Sequence, residues 1–157
     1  MADKASGYRR PYLDSSVYIA AIKNETVNGV DRGQIARDIL VDAQKGSIQV
    51  IASTALIAEV VRAKDSPLLT EDQEKLIDDF LFHEFITWVE LDIVLAIEAR
   101  RLARQYNLKP FDAIHLASAV RGKADCLLRW DERFIAGGGV IEEVTVSDPY
   151  WHGQMKM

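Results

Sequence analysis

Residues 109–134 have the sequence KPFDAIHLASAVRGKADCLLRWDERF, the most specific pattern in the chain. Pro110 and Gly122 bracket a predicted helix, because proline suits the first helical turn and glycine commonly ends a helix. The apolar residues 126–130 then predict a strand, and Asp131 follows that strand directly. The stretch therefore predicts a helix leading into a buried strand that ends at a carboxylate.

Strands and helices alternate along the rest of the chain. Branched apolar runs predict the further strands 11–14, 47–52, 85–90 and 140–146. Turn and cap residues predict five helices between these strands. Four of them respectively open at Ser15 or Ser16, run from Asp31 to Gly46, cover 55–63 and cover about 93–106. The fifth begins with a Thr70–Gln73 capping box, and its inward-facing residues are Leu76, Ile77, Phe80 and Leu81. Residues 24–31 resemble a loop. This order predicts an α/β fold whose parallel sheet is covered by helices on both faces.

Length and charge limit the possible functions. The chain has 157 residues, of which 48% are hydrophobic and 27% charged, so we expect one soluble globular domain over 1–157 with its core at about 10–147. This composition excludes collagen, a disordered tail and a disulfide-framed mini-protein. The formal net charge of −5 argues against a general polyanion binder, so contact with nucleic acid would need a local basic patch or bound cations.

The cellular compartment is inferred from the cysteine count, the first ten residues and the length of the most apolar stretch. Cys126 is the single cysteine, and residues 1–10 are polar. The most apolar stretch, 48–61, is interrupted by polar residues and is shorter than the roughly 20 residues that span a bilayer. We therefore expect a cytoplasmic protein with no membrane partner.

Four carboxylates from distant parts of the chain are candidates for one shared site. In a parallel sheet, ligands bind at the carboxyl ends of the strands, near the point where the strand order reverses. Asp14 and Asp131 follow strands, Asp112 opens a helix, and Glu59 lies in the helix after the second strand. Taken singly, each has a structural alternative: Asp14 and Asp112 as helix caps, Asp131 as a turn residue, and Glu59 on a solvated helix face.

Together, the four acids indicate a metal site. Crowded carboxylates raise one another's pKa values, and a divalent cation removes that cost. Oxygen ligands favour Mg²⁺ or Mn²⁺ over zinc, and such acid clusters serve metal-dependent phosphodiester hydrolysis. His115 lies in an apolar segment and is interpreted as a hydrogen-bonded core histidine.

Three segments carry a family resemblance: YLDSSVYIAAI at 12–22, ASTALIAEVVR at 52–62, and residues 109–134 quoted above. In order and spacing they resemble PIN domains, in particular the VapC-like ribonuclease toxins of bacterial toxin–antitoxin pairs. The resemblance implies a three-layer α/β/α sandwich with a central parallel sheet of four to five strands. It also implies a Mg²⁺ (or Mn²⁺) site and endoribonuclease activity.

The family's acidic positions match Asp14, Glu59, Asp112 and Asp131. By this resemblance, Asp14 and Asp112 are the best-placed direct metal ligands, while Glu59 and Asp131 bind the metal directly or through waters. Ser16 matches the family's hydroxyl residue, which bonds a carboxylate or a water.

One position departs from the family pattern. Where the family commonly has Thr or Ser two residues before the last acid, this chain has Arg129. Arg129 could pair with a carboxylate and compete with metal, or it could hold an RNA phosphate. Arg62, three residues after Glu59, is a second candidate phosphate contact.

The leading hypothesis is a metal-dependent endoribonuclease, the toxin of a toxin–antitoxin pair. Its partners would be an RNA substrate, an antitoxin protein and a second copy of the chain, the last two by resemblance alone. Arg129 favours the alternative, a catalytically weak or inactive PIN-like module that binds RNA or protein. A third hypothesis, a phosphate-accepting receiver-like domain, has little support because the first strand ends in a single acid, Asp14.

Overall fold

A computed structural model describes residues 7–62, 66–82, 84–130 and 139–150. The strands are β1 (Pro11–Leu13), β2 (Thr26–Val27), β3 (Val30–Asp31), β4 (Val50–Ser53), β5 (Ile86–Val89), β6 (Cys126–Leu128), β7 (Gly139–Ile141) and β8 (Val144–Ser147). The helices are α1 (Ser15–Lys23), α2 (Arg32–Gln44), α3 (Ala55–Glu59), α4 (Glu71–Leu81), α5 (Ile93–Tyr106) and α6 (Pro110–Arg121).

Six strands form one sheet in the order β5-β4-β1-β6-β8-β7. The first five run parallel, and β7 pairs antiparallel with β8 at the edge. From β1 the chain moves outward to β4 and β5, then crosses back to β6 on the other side of β1. The strand order therefore reverses between β1 and β6, which is where a ligand site is expected in such a sheet.

Helices cover both faces of this sheet. Because side chains alternate along a strand, the adjacent residues Tyr12 and Leu13 belong to two different core clusters. Leu13 packs with residues of α1, α2 and α4, and Tyr12 packs with residues of α5 and α6. The predicted α/β/α sandwich with a parallel central sheet is thereby confirmed.

The last predicted strand is wrong in one respect. Residues 140–146 form a hairpin, β7 and β8, around a two-residue turn at Glu142 and Glu143. Both glutamates have positive φ, 51° and 70°, the backbone that turns of type I′ require. Such turns usually contain Asn or Gly, so the Glu-Glu pair carried no turn signal, and the antiparallel sixth strand was not predicted.

Helix boundaries also differ from the sequence prediction. The helix predicted over 55–63 ends at Glu59, and the backbone then turns so that the carbonyl of Val61 accepts from the N–H of Leu69. The capping box of Thr70 and Gln73 is confirmed. Leu76, predicted to point inward, is 45% exposed.

The segment predicted as a loop at 24–31 contains the small hairpin of β2 and β3. Asp31 caps α2 as predicted, because its side chain accepts from the N–H of Gln34. At the start of α1 the cap position belongs to Asp14 and not to Ser15 or Ser16.

None of the helices in the described ranges is both long and apolar enough to cross a membrane. The longest of them, α5, has 14 residues.

Candidate active site

The ends of the central strands place Asp14 and Arg129 next to each other. The N–H of Asp14 donates to the carbonyl of Leu128 at 3.1 Å, and the N–H of Arg129 donates to the carbonyl of Ser147 at 3.1 Å. Asp14 occupies the cap position of α1, yet its side chain makes no capping hydrogen bond and is 6% exposed. Its carboxylate is therefore buried at the strand edge without serving as a cap.

Three side chains converge at this edge. Asp14, Glu59 and His115 each offer one possible ligand atom, and these atoms all lie within 4.8 Å of one another. His115 Nε2 is 3.0 Å from Glu59 Oε2 and 3.6 Å from Asp14 Oδ1. Glu59 is thus not on a solvated helix face, although α3 is short and ends at this residue.

A chain of hydrogen bonds orients His115. The N–H of Ser53 donates to the hydroxyl oxygen of Tyr12 at 3.2 Å, and that hydroxyl lies 2.5 Å from His115 Nδ1. Because the oxygen already accepts from Ser53, its proton is available for Nδ1. In the neutral imidazole, that bond puts the ring proton on Nε2, where it faces Glu59.

The pKa values of Glu59 and His115 move in opposite directions. Burial favours the neutral form of Glu59, but hydrogen bonds from His115 and Ser15 outweigh it and hold the carboxyl pKa below its usual value. Burial likewise opposes charge on His115, but the hydrogen bond to Glu59 and the field of Asp14 raise the imidazole pKa. Each group thus stabilises the charged form of the other.

Asp112 reaches the same end of the sheet but is held by a different partner. Its Oδ1 lies 2.9 Å from Arg129 Nη1, in an ion pair whose side chains are 21% and 6% exposed respectively. Asp112 lies in the first turn of α6, whose cap position belongs to Lys109. The carboxylate therefore binds the guanidinium that the sequence analysis identified as a possible competitor of metal.

The two neighbouring serines contribute differently to the site. Among the described residues, Ser16 Oγ accepts from the backbone N–H of Trp130 at 3.4 Å. Ser15 contributes to lowering the pKa of Glu59. Asp131 lies outside the described residues.

An open groove of about 460 Å³ adjoins the acid cluster, and Glu59, Arg62 and Ser16 line it. Arg32 and Trp130 line it as well, with the Arg32 guanidinium carbon 5.1 Å from the centroid of a Trp130 ring. The groove therefore combines two arginines and an aromatic ring beside buried acids.

Two other charged groups have structural partners. Asp125 Oδ2 accepts from the backbone N–H groups of Arg9 and Arg10, which makes its role structural. Arg101 forms ion pairs with Glu98 and Glu142 on the exposed side of α5.

Sequence reasoning missed His115, Tyr12 and Arg32 as parts of the site. His115 is buried and hydrogen-bonded as interpreted, but its partner is a site carboxylate. Its position three residues after Asp112 was an available signal, because that spacing puts both side chains on one face of a helix.

The donor set fits a divalent cation. Asp14 and Glu59 supply carboxylate oxygens from two separate elements, and His115 is the adjoining nitrogen group. Two carboxylates this close are costly without positive charge beside them. Hard oxygen donors of this kind suit Mg²⁺ and Mn²⁺.

The chain was compared with known proteins. A model of the PIN domain family matches residues 12–139. Among solved structures, a chain of a toxin-antitoxin complex from Klebsiella pneumoniae is similar at 23% identity and a TM-score of 0.62, over 89% of this chain and 98% of that chain. VapC20 of Mycobacterium tuberculosis, a sarcin-ricin loop cleaving toxin, is similar at 14% identity and a TM-score of 0.60, over 84% and 97%. A search of curated proteins gave no match.

Proposed function

The chain belongs to the PIN domain family, and from that membership we propose that it is a metal-dependent endoribonuclease that hydrolyses RNA phosphodiester bonds. The observation that carries this proposal is the convergence of Asp14 and Glu59 at the strand edge where the order reverses. Both carboxylates lie within 3.6 Å of His115 Nε2, and two carboxylates gathered at one point offer oxygen ligands to a divalent cation.

Asp14 and Glu59 are the proposed holders of Mg²⁺ or Mn²⁺, with Asp112 and Asp131 as the remaining acids of the site. The bound cation would supply Lewis acidity for activating water and for neutralising phosphate charge. Tyr12 and His115 keep Glu59 in place through their hydrogen bonds. Ser16 supports the neighbouring backbone at Trp130.

RNA would reach the acids along the groove. A chain with a formal net charge of −5 needs local positive charge to accept a polyanion, and Arg32 and Arg62 provide it at the groove. Trp130 lies beside them and offers a ring face on which a base can stack. These groups support RNA as the substrate class.

We further propose that the enzyme is the toxin of a toxin–antitoxin pair and acts in the cytoplasm. The Klebsiella pneumoniae structure, described as a toxin-antitoxin complex, supports an antitoxin protein as a partner. The family resemblance supports a homodimer. The exposed apolar side chains of Ile93, Val94 and Ile97 on α5 form a surface that a second copy could cover.

Cleavage of a labelled structured RNA by the purified chain tests the nuclease activity. We expect cleavage with Mn²⁺, none with EDTA, and none by Asp14→Asn. Asp79→Asn is the matched control, because Asp79 is an exposed carboxylate on α4. Cleavage that persists in EDTA or in Asp14→Asn would show that the activity comes from a different site or from a contaminant.

The ion pair of Arg129 and Asp112 favours a second candidate, a non-catalytic PIN-like binding module. Such a module need not change its melting temperature with Mn²⁺. Folded protein, free of bound inhibitor, that neither cleaves RNA nor responds to Mn²⁺ would replace the nuclease with this module.

A further inference from the structure

Arg129 is a fixed charge inside the acid cluster. It directly follows β6, its backbone N–H donates to the carbonyl of Ser147, and its side chain is 6% exposed. Burial on this scale leaves a long side chain little freedom to leave its partner. The guanidinium is therefore part of the site's permanent charge distribution.

The ion pair divides the acids that the structure describes into two groups. Asp14 and Glu59 lie together around His115, whereas Asp112 is bound to Arg129 and is not part of that close group. A cation placed against Asp112 would either displace a buried guanidinium or share the carboxylate with its positive charge. Breaking a buried ion pair is strongly destabilising, since it leaves an uncompensated charge.

We propose that Arg129 is the second cation of this site, so that the chain binds one divalent cation, on the Asp14–Glu59 side, instead of two. The proposal rests on the proposed function. In two-metal nucleases the paired cations neutralise the attacking and leaving oxygens of the phosphate. A guanidinium carries its charge at every working pH and suits phosphate oxygens, so it can share that task without a second metal.

Metal stoichiometry tests the proposal directly. The full chain, stripped with EDTA and dialysed, is titrated with Mn²⁺, and bound Mn²⁺ is counted by electron paramagnetic resonance of the free ion. We expect one Mn²⁺ per wild-type chain. In Arg129→Thr we expect a second Mn²⁺ to bind and the first to bind about tenfold more tightly, because a positive charge has been removed.

Arg121→Thr is the matched control. It removes an arginine from an ion pair with Asp92, but at the exposed C-terminal end of α6. We expect this variant to bind one Mn²⁺ with wild-type affinity. Arg129→Lys, which keeps the charge, should also bind one Mn²⁺. This variant is used in the titration if Arg129→Thr does not fold.

The outcomes separate this inference from the proposed function. Two Mn²⁺ bound to the wild-type chain would overturn the inference while leaving the nuclease in place. A folded Arg129→Thr that still binds one Mn²⁺ with unchanged affinity would overturn it as well. Wild-type protein that binds no Mn²⁺ would instead remove the proposed function itself.

Discussion

His115 and Glu59, 56 positions apart in the chain, are in direct contact: the imidazole Nε2 lies 3.2 and 3.0 Å from the two carboxylate oxygens. Glu59 ends a helix of five residues, so its own element gives it little rigidity. His115 comes from α6, which is packed against the sheet and anchored by the Tyr12 hydroxyl. The orientation of one site carboxylate therefore depends on a histidine that is not itself one of the acids.

The Glu59–His115 contact makes the stability of the metal-free protein depend on pH. The pKa of His115 is raised from 6.5, so its contribution is fully present below pH 6.5 and is lost as the pH rises through the raised value. The pKa of Glu59 is lowered from 4.5, so its contribution is present above pH 4.5 and is lost as the pH falls through the lowered value. Both contributions are present together between these two pH values.

We therefore expect wild-type protein in EDTA to exceed His115→Gln in stability by about 2 kcal/mol in that window, or about 6 °C in melting temperature. Thermal melts of both proteins from pH 4 to 9 measure the difference. A difference in melting temperature that stays constant from pH 4 to 9 would show that Glu59 and His115 do not form a charged pair.

Two buried tyrosines offer a matched pair of hydroxyl deletions. Tyr12→Phe removes the group that accepts from Ser53 and holds His115 Nδ1. We expect a loss of about 1–3 kcal/mol in unfolding free energy, because buried polar groups lose their partners. RNA cleavage should fall as well, since Glu59 is no longer held through His115.

Tyr18→Phe is the control for that deletion. Within the part of the chain that the structure describes, the Tyr18 hydroxyl is buried without a hydrogen-bond partner. Its removal should leave the unfolding free energy unchanged or slightly higher. Urea unfolding of both variants gives the comparison, and equal losses would show that the hydroxyl network at Tyr12 contributes nothing specific.

Separate replacement of Arg62 and Arg100 tests whether RNA binds in the groove or elsewhere on the surface. Arg62 lines the groove beside Glu59, whereas Arg100 lies on α5 at a separate surface depression. In Arg62→Ala we expect weaker RNA binding. The slope of the logarithm of the binding constant against the logarithm of the salt concentration should also become less steep by about 0.7, the value for one phosphate contact to a single strand.

Arg100→Ala should leave both quantities unchanged. Fluorescence anisotropy of a labelled single-stranded RNA at several salt concentrations gives both the RNA affinity and its salt dependence. The measurement is made in EDTA, which prevents cleavage. If Arg100→Ala reduced the slope and Arg62→Ala did not, the RNA would follow α5 and not the groove.

Gly122 is required for packing and not for backbone freedom. A Cβ at this position would lie 2.5 Å from Ile51 Cγ2 and 3.1 Å from Val89 Cγ2. Gly122→Ala should therefore lower the unfolding free energy by about 1–3 kcal/mol through overpacking. Helix propensity alone would give the opposite sign. Chemical denaturation of the variant decides between the two, and increased stability would show that α6 moves away from the sheet without cost.

Local signals predicted most of the architecture. The capping box at Thr70 and the cap at Asp31 each depend on a side chain that accepts from a backbone N–H three residues later, and both were recognised from sequence. The turn at Glu142 and Glu143 was not, because its residues adopt positive φ against their own preference and are held there by the pairing of β7 with β8.

The pattern of strands and acids was enough to predict that carboxylates meet at one edge of a parallel sheet. Strand–helix alternation makes the sheet parallel, and the carboxyl ends of parallel strands share an edge, so Asp14 had to lie there. How the charges pair depends on the packing of the folded chain: Asp112 pairs with Arg129, and Glu59 pairs with His115. These pairings join groups 17 and 56 positions apart, and they depend on how α3, α6 and β6 pack, a geometry that no local spacing encodes.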